Sequence, residues 1–219
     1  MNTISDMINK LKEALNTELP ASKAHIKLAP DDRIEGLLTR QWPQNAQLSA
    51  VTLLLFTEDS ELKLLLMKRT EDNGVHSGQI SLPGGRQETQ DKSLQETAIR
   101  EFFEETGVLL SAGDYLGKLS DLYIPPSNFI VQPFIAFIPQ LPKLKPNLSE
   151  VKELHTISLA DLFAEEAYKK QEVVLRQRGK DSYTIKAPCY QIKELCIWGA
   201  TAMILCELQM VFKDFGLSR

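Results

Sequence analysis

Three glutamates within five residues are the first feature of the sequence that could carry out chemistry. Glu101 and Glu105 are four residues apart, and Glu104 is three residues from Glu101. On an α-helix these spacings place the three carboxylates on one side. Carboxylates so close together repel one another unless a cation neutralises them, and Mg²⁺ prefers such oxygen ligands. The spacing therefore predicts a metal site on a helix.

An ordinary solvated helix face is the competing interpretation of these acids. With 29 acidic residues among 219, acids at three fixed positions arise by chance in about half of such chains. Arg100 before the first glutamate and Gly107 after the last make the pattern far more specific. Ile99, Phe102 and Phe103 are expected on the opposite side, where they would dock the helix on the protein.

The ends of this helix are marked in the sequence. Ser93 followed by Glu96 has the form of a capping box, in which each side chain accepts a hydrogen bond from the other residue's backbone. Gly107 suits the end of the helix. We therefore expect a helix from Ser93 to Thr106, preceded by a glycine-rich loop of the kind that often carries chemistry.

Hydrophobic patterning predicts the elements around this helix. The expected strands are a hairpin at 50–57 and 62–69, a short strand at 80–82, and strands at 115–124, 129–138, 151–157, 172–177 and 182–187. Helices are expected at 4–16, after Ser158 and over about 191–213. Strands interleaved with few helices predict an α/β or α+β fold.

The chain is expected to form one main domain. Residues 17–47 contain three prolines and little periodicity, which predicts an irregular connection. We therefore expect residues 1–45 to be an N-terminal helix and connection packed on a main body formed by residues 46–219.

Composition favours a cytoplasmic protein with a small-molecule partner. A net charge of −4 gives no basic surface for nucleic acid. The longest apolar stretch, residues 195–206, is too short to span a membrane and predicts a buried helix. The N-terminus lacks the pattern of a signal peptide. Cys189, Cys196 and Cys206 lack zinc-site spacing and are expected to be reduced.

Gly85 together with residues 100–108, Arg-Glu-Phe-Phe-Glu-Glu-Thr-Gly-Val, resembles the Nudix box of hydrolases that act on nucleoside diphosphates linked to another group. The resemblance implies a Nudix fold, with a mixed β-sheet between helical layers, over the chain after residue 45. It implies that Gly85, Glu101, Glu104 and Glu105 bind Mg²⁺ or Mn²⁺.

The resemblance also implies that the three glutamates are catalytic and that Arg100 orients them through an ion pair. One residue more than usual stands between Gly85 and Arg100. The first glutamate of the box therefore falls at Asp91 or Lys92 in this chain.

Two further segments, residues 78–85 and 197–202, resemble the coenzyme A pyrophosphatase subgroup. This resemblance implies hydrolysis of coenzyme A or acyl-coenzyme A to 3′,5′-ADP and 4′-phosphopantetheine or its acylated form. Arg69 agrees with the upstream signature of the subgroup, whereas Gly74 and Leu82 depart from it.

Lys68, Arg69 and Arg86 are candidates to bind the 3′-phosphate of such a substrate, because basic groups bind phosphate oxygens. Gly84 is a further substrate-binding candidate. The alternative is that Lys68 ends a strand and points to water and that Arg86 is only a loop charge.

Several other residues have an open interpretation. His76 could contact substrate or be polar surface. Glu150 and Glu153 could return to the metal site and supply a general base. Trp198 could stack on adenine or pack in the core. Residues 125–129 are expected to form a turn and resemble a segment of the same subgroup near the substrate.

Two alternative functions remain open. A Nudix pyrophosphatase could act on ADP-ribose or a nucleoside triphosphate instead. A non-catalytic nucleotide-binding regulator is an alternative of another class, although the intact acidic triple argues against it. A homodimer is a further expectation from the family.

Overall fold

The computed structural model describes residues 3–71, 76–175 and 183–217. These residues form α1 (Ile4–Ala14), α2 (Ser22–His25), α3 (Ile34–Thr39), β1 (Gln47–Glu58), β2 (Glu61–Arg69), β3 (Ile80–Ser81), β4 (Gly84–Arg86), α4 (Leu94–Thr106), β5 (Tyr115–Lys118), β6 (Leu122–Ile124), β7 (Phe129–Ile138), β8 (Val151–Ser158), α5 (Leu159–Phe163), β9 (Tyr168–Leu175), β10 (Tyr183–Ile192), β11 (Leu195–Trp198) and α6 (Gly199–Asp214). The predicted hairpin and the predicted helix of the three glutamates are both present.

Eight strands form the main sheet, in which β3, β2, β1, β7 and β5 are neighbours in that order. β4 pairs with β1, β6 with β7 and β8 with β2. β1 and β7 run parallel, from Gln47 beside Phe129 to Phe56 beside Ile138. The other pairs are antiparallel, so the sheet is mixed, as expected.

The tight turn of the hairpin determines how β1 and β2 pair. Glu58 pairs with Glu61, which leaves Asp59 and Ser60 as a two-residue turn. Both turn residues have positive φ angles, 52° and 63°. A two-residue turn of this kind matches the right-handed twist of the strands.

Helices cover both faces of the main sheet. Side chains alternate along β1, so that Leu54 packs in a cluster with Phe102 of α4, whereas Leu53 and Leu55 pack with side chains of α1 and α6. The sheet therefore lies between helical layers. This arrangement confirms the predicted α/β (α+β) fold class.

A second, antiparallel sheet contains β11, β10 and β9 in that order. The prediction of a helix over about 191–213 is wrong at its start, because residues 191–198 complete β10 and form β11. The apolar run crosses from β11, in which Ile197 is buried and the other residues are half-buried, into a buried helix, so hydrophobicity could not locate the boundary. Residues 176–177 and 182 of the predicted strands lie outside the described residues. No helix in the described ranges is long and apolar enough to span a membrane.

The N-terminal connection is more regular than predicted. Residues 17–47 contain α2, α3 and a 3₁₀ turn at Asp31–Arg33. Helices this short show no hydrophobic periodicity in the sequence. α2 docks on α6 through a buried contact in which His25 Nε2 lies 3.1 Å from Glu207 Oε2. The backbone N–H groups of Ala21 and Ser120 also donate to Glu207.

Candidate active site

α4 begins and ends where the sequence predicts. Ser93 Oγ accepts a hydrogen bond from the Glu96 N–H (3.2 Å), and Gly107 follows the helix with a φ of 73°. Only half of the predicted capping box is formed. The Glu96 carboxylate instead accepts from the Lys92 N–H (2.8 Å), one residue further out. The helix start is still stabilised at two backbone donors.

The three glutamates lie in very different surroundings. The side chains of Glu101, Glu104 and Glu105 are 14%, 50% and 1% exposed. Phe102 is buried as predicted, but the prediction for Phe103 is wrong, because it is 47% exposed. Glu105 follows Phe102 by three residues, so it shares the side of the helix that faces the sheet. The acids therefore do not form one solvated face.

Glu105 is a buried carboxylate at the junction of α4 with β2 and β4. Its Oε2 accepts a hydrogen bond from the Gly84 N–H (2.7 Å), and its Oε1 lies 3.6 Å from Arg69 Nη1. Burial raises the pKa of Glu105 to about 8, although Gly84 and Arg69 oppose the shift. A cation beside this carboxylate would favour its charged form, so metal binding here would release a proton.

Two glycines of β4 allow this close packing. Gly84 has a φ of 151°, and a Cβ there would overlap the Ala50 carbonyl oxygen and Val51. A Cβ at Gly85 would overlap the carboxylate of Glu101. β4 can therefore approach both β1 and α4 only because these two residues lack side chains.

Arg100 is the centre of an ion-pair network. Its Nη1 lies 2.9 Å from Glu101 Oε1 and 3.2 Å from Glu104 Oε2. Its Nη2 donates to the Arg86 carbonyl oxygen (3.0 Å) and to Asp91 Oδ2 (2.8 Å). The planar guanidinium thus connects two glutamates of α4 to the loop before the helix.

Asp91 is the acidic residue of the loop before α4 that pairs with Arg100. The sequence allowed either Asp91 or Lys92 at this position of the box. Both of its carboxylate oxygens accept hydrogen bonds from Arg100, and Oδ2 also accepts from Thr97 Oγ1. The hydrogen bonds from Arg100 lower the pKa of Asp91 to about 2, against the effect of burial. Lys92 contributes only its backbone N–H at this point. The sequence could not distinguish Asp91 from Lys92, because the extra loop residue makes the spacing fit either position.

A later loop brings Glu150 near the glutamates. The Lys145 N–H donates to the Thr106 carbonyl oxygen (2.8 Å), and the Glu150 carbonyl oxygen accepts from the Thr70 N–H (3.0 Å). Burial is the main cause of the raised pKa of Glu101 and Glu105, and the charge of Glu150 adds to it in both. Glu153 has different neighbours, with its Oε2 3.4 Å from His155 Nε2.

The three basic residues that the sequence suggested for binding a 3′-phosphate lie in different surroundings. Arg69 lies against Glu105, as described above. Lys68 lines a cavity beside the second sheet. Arg86 is exposed, and its carbonyl oxygen accepts from Arg100. The described contacts do not gather the three into one clamp for a 3′-phosphate.

The cavity that Lys68 lines has a volume of about 410 Å³. One wall comes from the main sheet and the loop before β3, and the other comes from β9 and β11. Trp198 lies in this wall at the end of β11, half-buried, and not inside a helix as the sequence suggested.

The contacts of the remaining candidates are as follows. His76 Nδ1 lies 3.1 Å from Gln79 Oε1. Residues 125–128 form the predicted turn, in which Asn128 accepts from the hydroxyl of Tyr123 (3.0 Å). The three cysteines are free, as expected. Gly74 lies outside the described residues, and Leu82 is buried.

The acids around α4 suit a hard divalent ion. In the described part of the chain no three His, Cys, Asp or Glu side chains converge closely enough to hold a metal alone. Arg100 pairs with two of the glutamates, Glu101 and Glu104. Mg²⁺ and Mn²⁺ fit such a set, since hard ions bind one or two carboxylates and complete their shell with water and substrate phosphates. Glu101, Glu104, Glu105 and Gly85 remain the predicted ligands.

Comparison with known proteins identifies the family. The model of the NUDIX domain matches residues 46–177, more than half of the chain. The chain belongs to the Nudix family. The matched region contains α4 and the two glycines of β4, the residues whose pattern resembles the Nudix box.

Relatives in bacteria and plants agree with this assignment. The uncharacterized Nudix hydrolase NudL of Pectobacterium atrosepticum is 31% identical over 172 residues, covering 78% of this chain and 86% of that protein. The NudL of Yersinia enterocolitica is 34% identical over 148 residues, covering 68% and 73%. The mitochondrial Nudix hydrolase 15 of Arabidopsis thaliana is 33% identical over 168 residues, covering 74% and 58%.

A solved structure shows the same fold. The MutT/nudix family protein from Enterococcus faecalis superposes with a TM-score of 0.51 at 17% identity, covering 88% of this chain and 72% of that one. The protein is thus a Nudix hydrolase with the Nudix fold. Nudix hydrolases generally use divalent ions such as Mg²⁺ or Mn²⁺.

Proposed function

We propose that this Nudix hydrolase cleaves the pyrophosphate bond of coenzyme A or acyl-coenzyme A. Water adds to one phosphorus and the bridging P–O bond breaks, which releases 3′,5′-ADP and 4′-phosphopantetheine or its acylated form. One observation carries the choice of substrate. The two segments that resemble the coenzyme A subgroup, residues 78–85 and 197–202, meet where Thr201 Oγ1 donates to the Ile80 carbonyl oxygen (3.3 Å), 121 residues away.

The residues around α4 would have different roles in hydrolysis. Glu101 and Glu105, with Glu104 and Gly85, would hold the ion. A bound Mg²⁺ or Mn²⁺ would neutralise charge on the phosphate oxygens and lower the pKa of a bound water. Arg100 keeps Glu101 and Glu104 in a fixed orientation, which supports catalysis by positioning.

Arg69 and Glu150 have proposed roles at the reacting phosphates. Arg69 lies beside Glu105 and would bind a phosphate oxygen through its guanidinium. Glu150 lies in a loop that contacts the end of α4, and its carboxylate would accept the proton of the attacking water.

A side-by-side assay with Mg²⁺ tests the substrate. We expect kcat/KM for coenzyme A to exceed that for ADP-ribose and for a nucleoside triphosphate by at least about tenfold, because an enzyme discriminates between substrates by the groups that its site is built to bind. Comparable rates on all three would remove the coenzyme A assignment and leave a broad Nudix pyrophosphatase.

The same assay distinguishes an active hydrolase from a non-catalytic nucleotide-binding protein. A folded protein that binds these nucleotides but hydrolyses none of them, with Mg²⁺ or with Mn²⁺, would be a nucleotide-binding regulator. The hydrolysis rate and the bound nucleotide are therefore both measured.

A further inference from the structure

The cavity beside the second sheet is not used by the chemistry proposed around α4. It has a volume of about 410 Å³ and is lined by residues of β2, β3, β8, β9 and β11. We propose that it receives the uncharged pantetheine arm of the substrate and not the 3′-phosphorylated nucleotide. This inference rests on the proposed function, because it names the part of coenzyme A that enters the cavity.

The cavity is close to the glutamates. Lys68, in its wall, precedes Arg69, whose Nη1 lies 3.6 Å from Glu105 Oε1. Consecutive side chains of a strand point to opposite faces of the sheet, so Lys68 and Arg69 lie on its two faces at the end of β2, where the register shifts between them. A substrate with its pyrophosphate at Arg69 and Glu105 would therefore pass over this strand end to reach the cavity.

The charge of the walls disfavours a phosphate. Among the described lining residues there are three carboxylates, from Glu153, Glu172 and Glu194, and one ammonium group, from Lys68. A dianionic 3′-phosphate would be repelled by this excess of negative charge. Pantetheine carries no charge and meets no such repulsion.

The chemistry of the walls fits an amide-containing chain. Apolar side chains such as Ile80, Val173 and Trp198 alternate with polar groups around the cavity. His155 also lines it, and its buried Nε2 makes no hydrogen bond in the described part of the chain, although Glu153 Oε2 lies 3.4 Å away. The methyl groups of pantetheine can pack on the apolar walls, and its hydroxyl and amides can supply hydrogen-bond partners.

Tryptophan fluorescence tests which group enters the cavity. The chain has two tryptophans, and Trp42 lies outside the lining, so a Trp42→Phe variant reports on Trp198 alone. We expect saturable quenching or a spectral shift when pantetheine is added, and no change with 3′,5′-ADP at the same concentrations. A response to 3′,5′-ADP and not to pantetheine would overturn the inference.

A kinetic test uses strand β9. Val174 lines the cavity and is 53% exposed, so Val174→Phe should fold and narrow the cavity. We expect it to raise KM for coenzyme A by roughly tenfold, mainly without loss of kcat. Lys169→Phe, on the same strand and outside the lining, is the matched control and should leave KM unchanged.

The two proposals fail in different ways. If coenzyme A is hydrolysed but neither pantetheine nor Val174→Phe has an effect, the cavity inference is wrong and the proposed function stands. If pantetheine binds at Trp198 but coenzyme A is not hydrolysed, the cavity inference stands and the proposed function is wrong.

Discussion

At the scale of single residues, a methyl group added at Gly84 meets backbone, whereas one added at Gly85 meets the end of a side chain. Gly84→Ala should lower the free energy of unfolding by about 2 kcal/mol or more, because of its φ of 151° and the overlap with Ala50. Urea unfolding measures this loss.

Gly85→Ala is the variant to compare with Gly84→Ala, because it adds the same methyl group at the neighbouring glycine. The Glu101 carboxylate can move away from the new methyl group, so we expect stability close to that of the parent. Activity should fall sharply, because Glu101 leaves its position beside Gly85. A fully active Gly85→Ala protein would contradict the role given to Glu101.

Glu150 is the proposed acceptor of the proton from the attacking water. Glu150→Gln keeps the size of the side chain but removes the proton acceptor, so kcat should fall on the order of a hundredfold with little change in KM. Glu166→Gln is the control, since Glu166 is exposed in the 3₁₀ turn Glu165–Ala167 and lies outside the cavity lining. Equal rate losses in the two variants would contradict a specific role for Glu150.

At the scale of elements, the Asp91–Arg100 ion pair joins α4 to the loop before it. The folded protein lowers the pKa of Asp91 from 3.8 to about 2, mainly through the hydrogen bonds from Arg100. A lowered pKa means that the charged form stabilises the folded state above about pH 4, and that this contribution is lost as the pH falls towards 2.

Asp91→Asn should therefore cost stability in a pH-dependent way. We expect the free energy of unfolding to fall by roughly 1–2 kcal/mol at pH 6 and the difference from the parent to shrink at pH 3. Urea unfolding at several pH values measures both. A difference that grows on acidification would have the wrong sign for this ion pair.

Sequence predicts some elements well because their patterns are local. The hairpin of β1 and β2 and the ends of α4 follow from alternating apolar residues and from Ser93 and Gly107. The start of α6 could not be predicted, because β11 and α6 share one apolar run. The choice of Asp91 over Lys92 also needed the structure, since it depends on the path of the loop to Arg100.

At the scale of the whole molecule, a buried polar cluster ties the N-terminal segment to α6. His25 and Glu207 are 2% and 0% exposed. Burial raises the pKa of Glu207, but the hydrogen bonds from His25, Ser120 and Ala21 outweigh it and leave the pKa lowered. The carboxylate therefore depends on its partners to remain charged in the core.

His25→Leu removes one of those partners. We expect the free energy of unfolding to fall by about 3 kcal/mol, because the buried Glu207 carboxylate loses one of its hydrogen-bond partners in the core. Adding Glu207→Gln to this variant should recover part of the loss, since the amide is neutral. If His25→Leu is as stable as the parent, the cluster does not hold the N-terminal segment in place.

The boundary between residues 45 and 46 stays a prediction.

Product analysis with coenzyme A and Mg²⁺, comparing the parent with Glu105→Gln, tests hydrolysis at the buried carboxylate. We expect equal amounts of 3′,5′-ADP and 4′-phosphopantetheine from the parent. We expect at least about a hundredfold less from Glu105→Gln, which keeps the shape of the side chain but loses its charge. Undiminished cleavage by folded Glu105→Gln would contradict catalysis at this buried carboxylate, and absence of both products from the parent would contradict the proposed substrate.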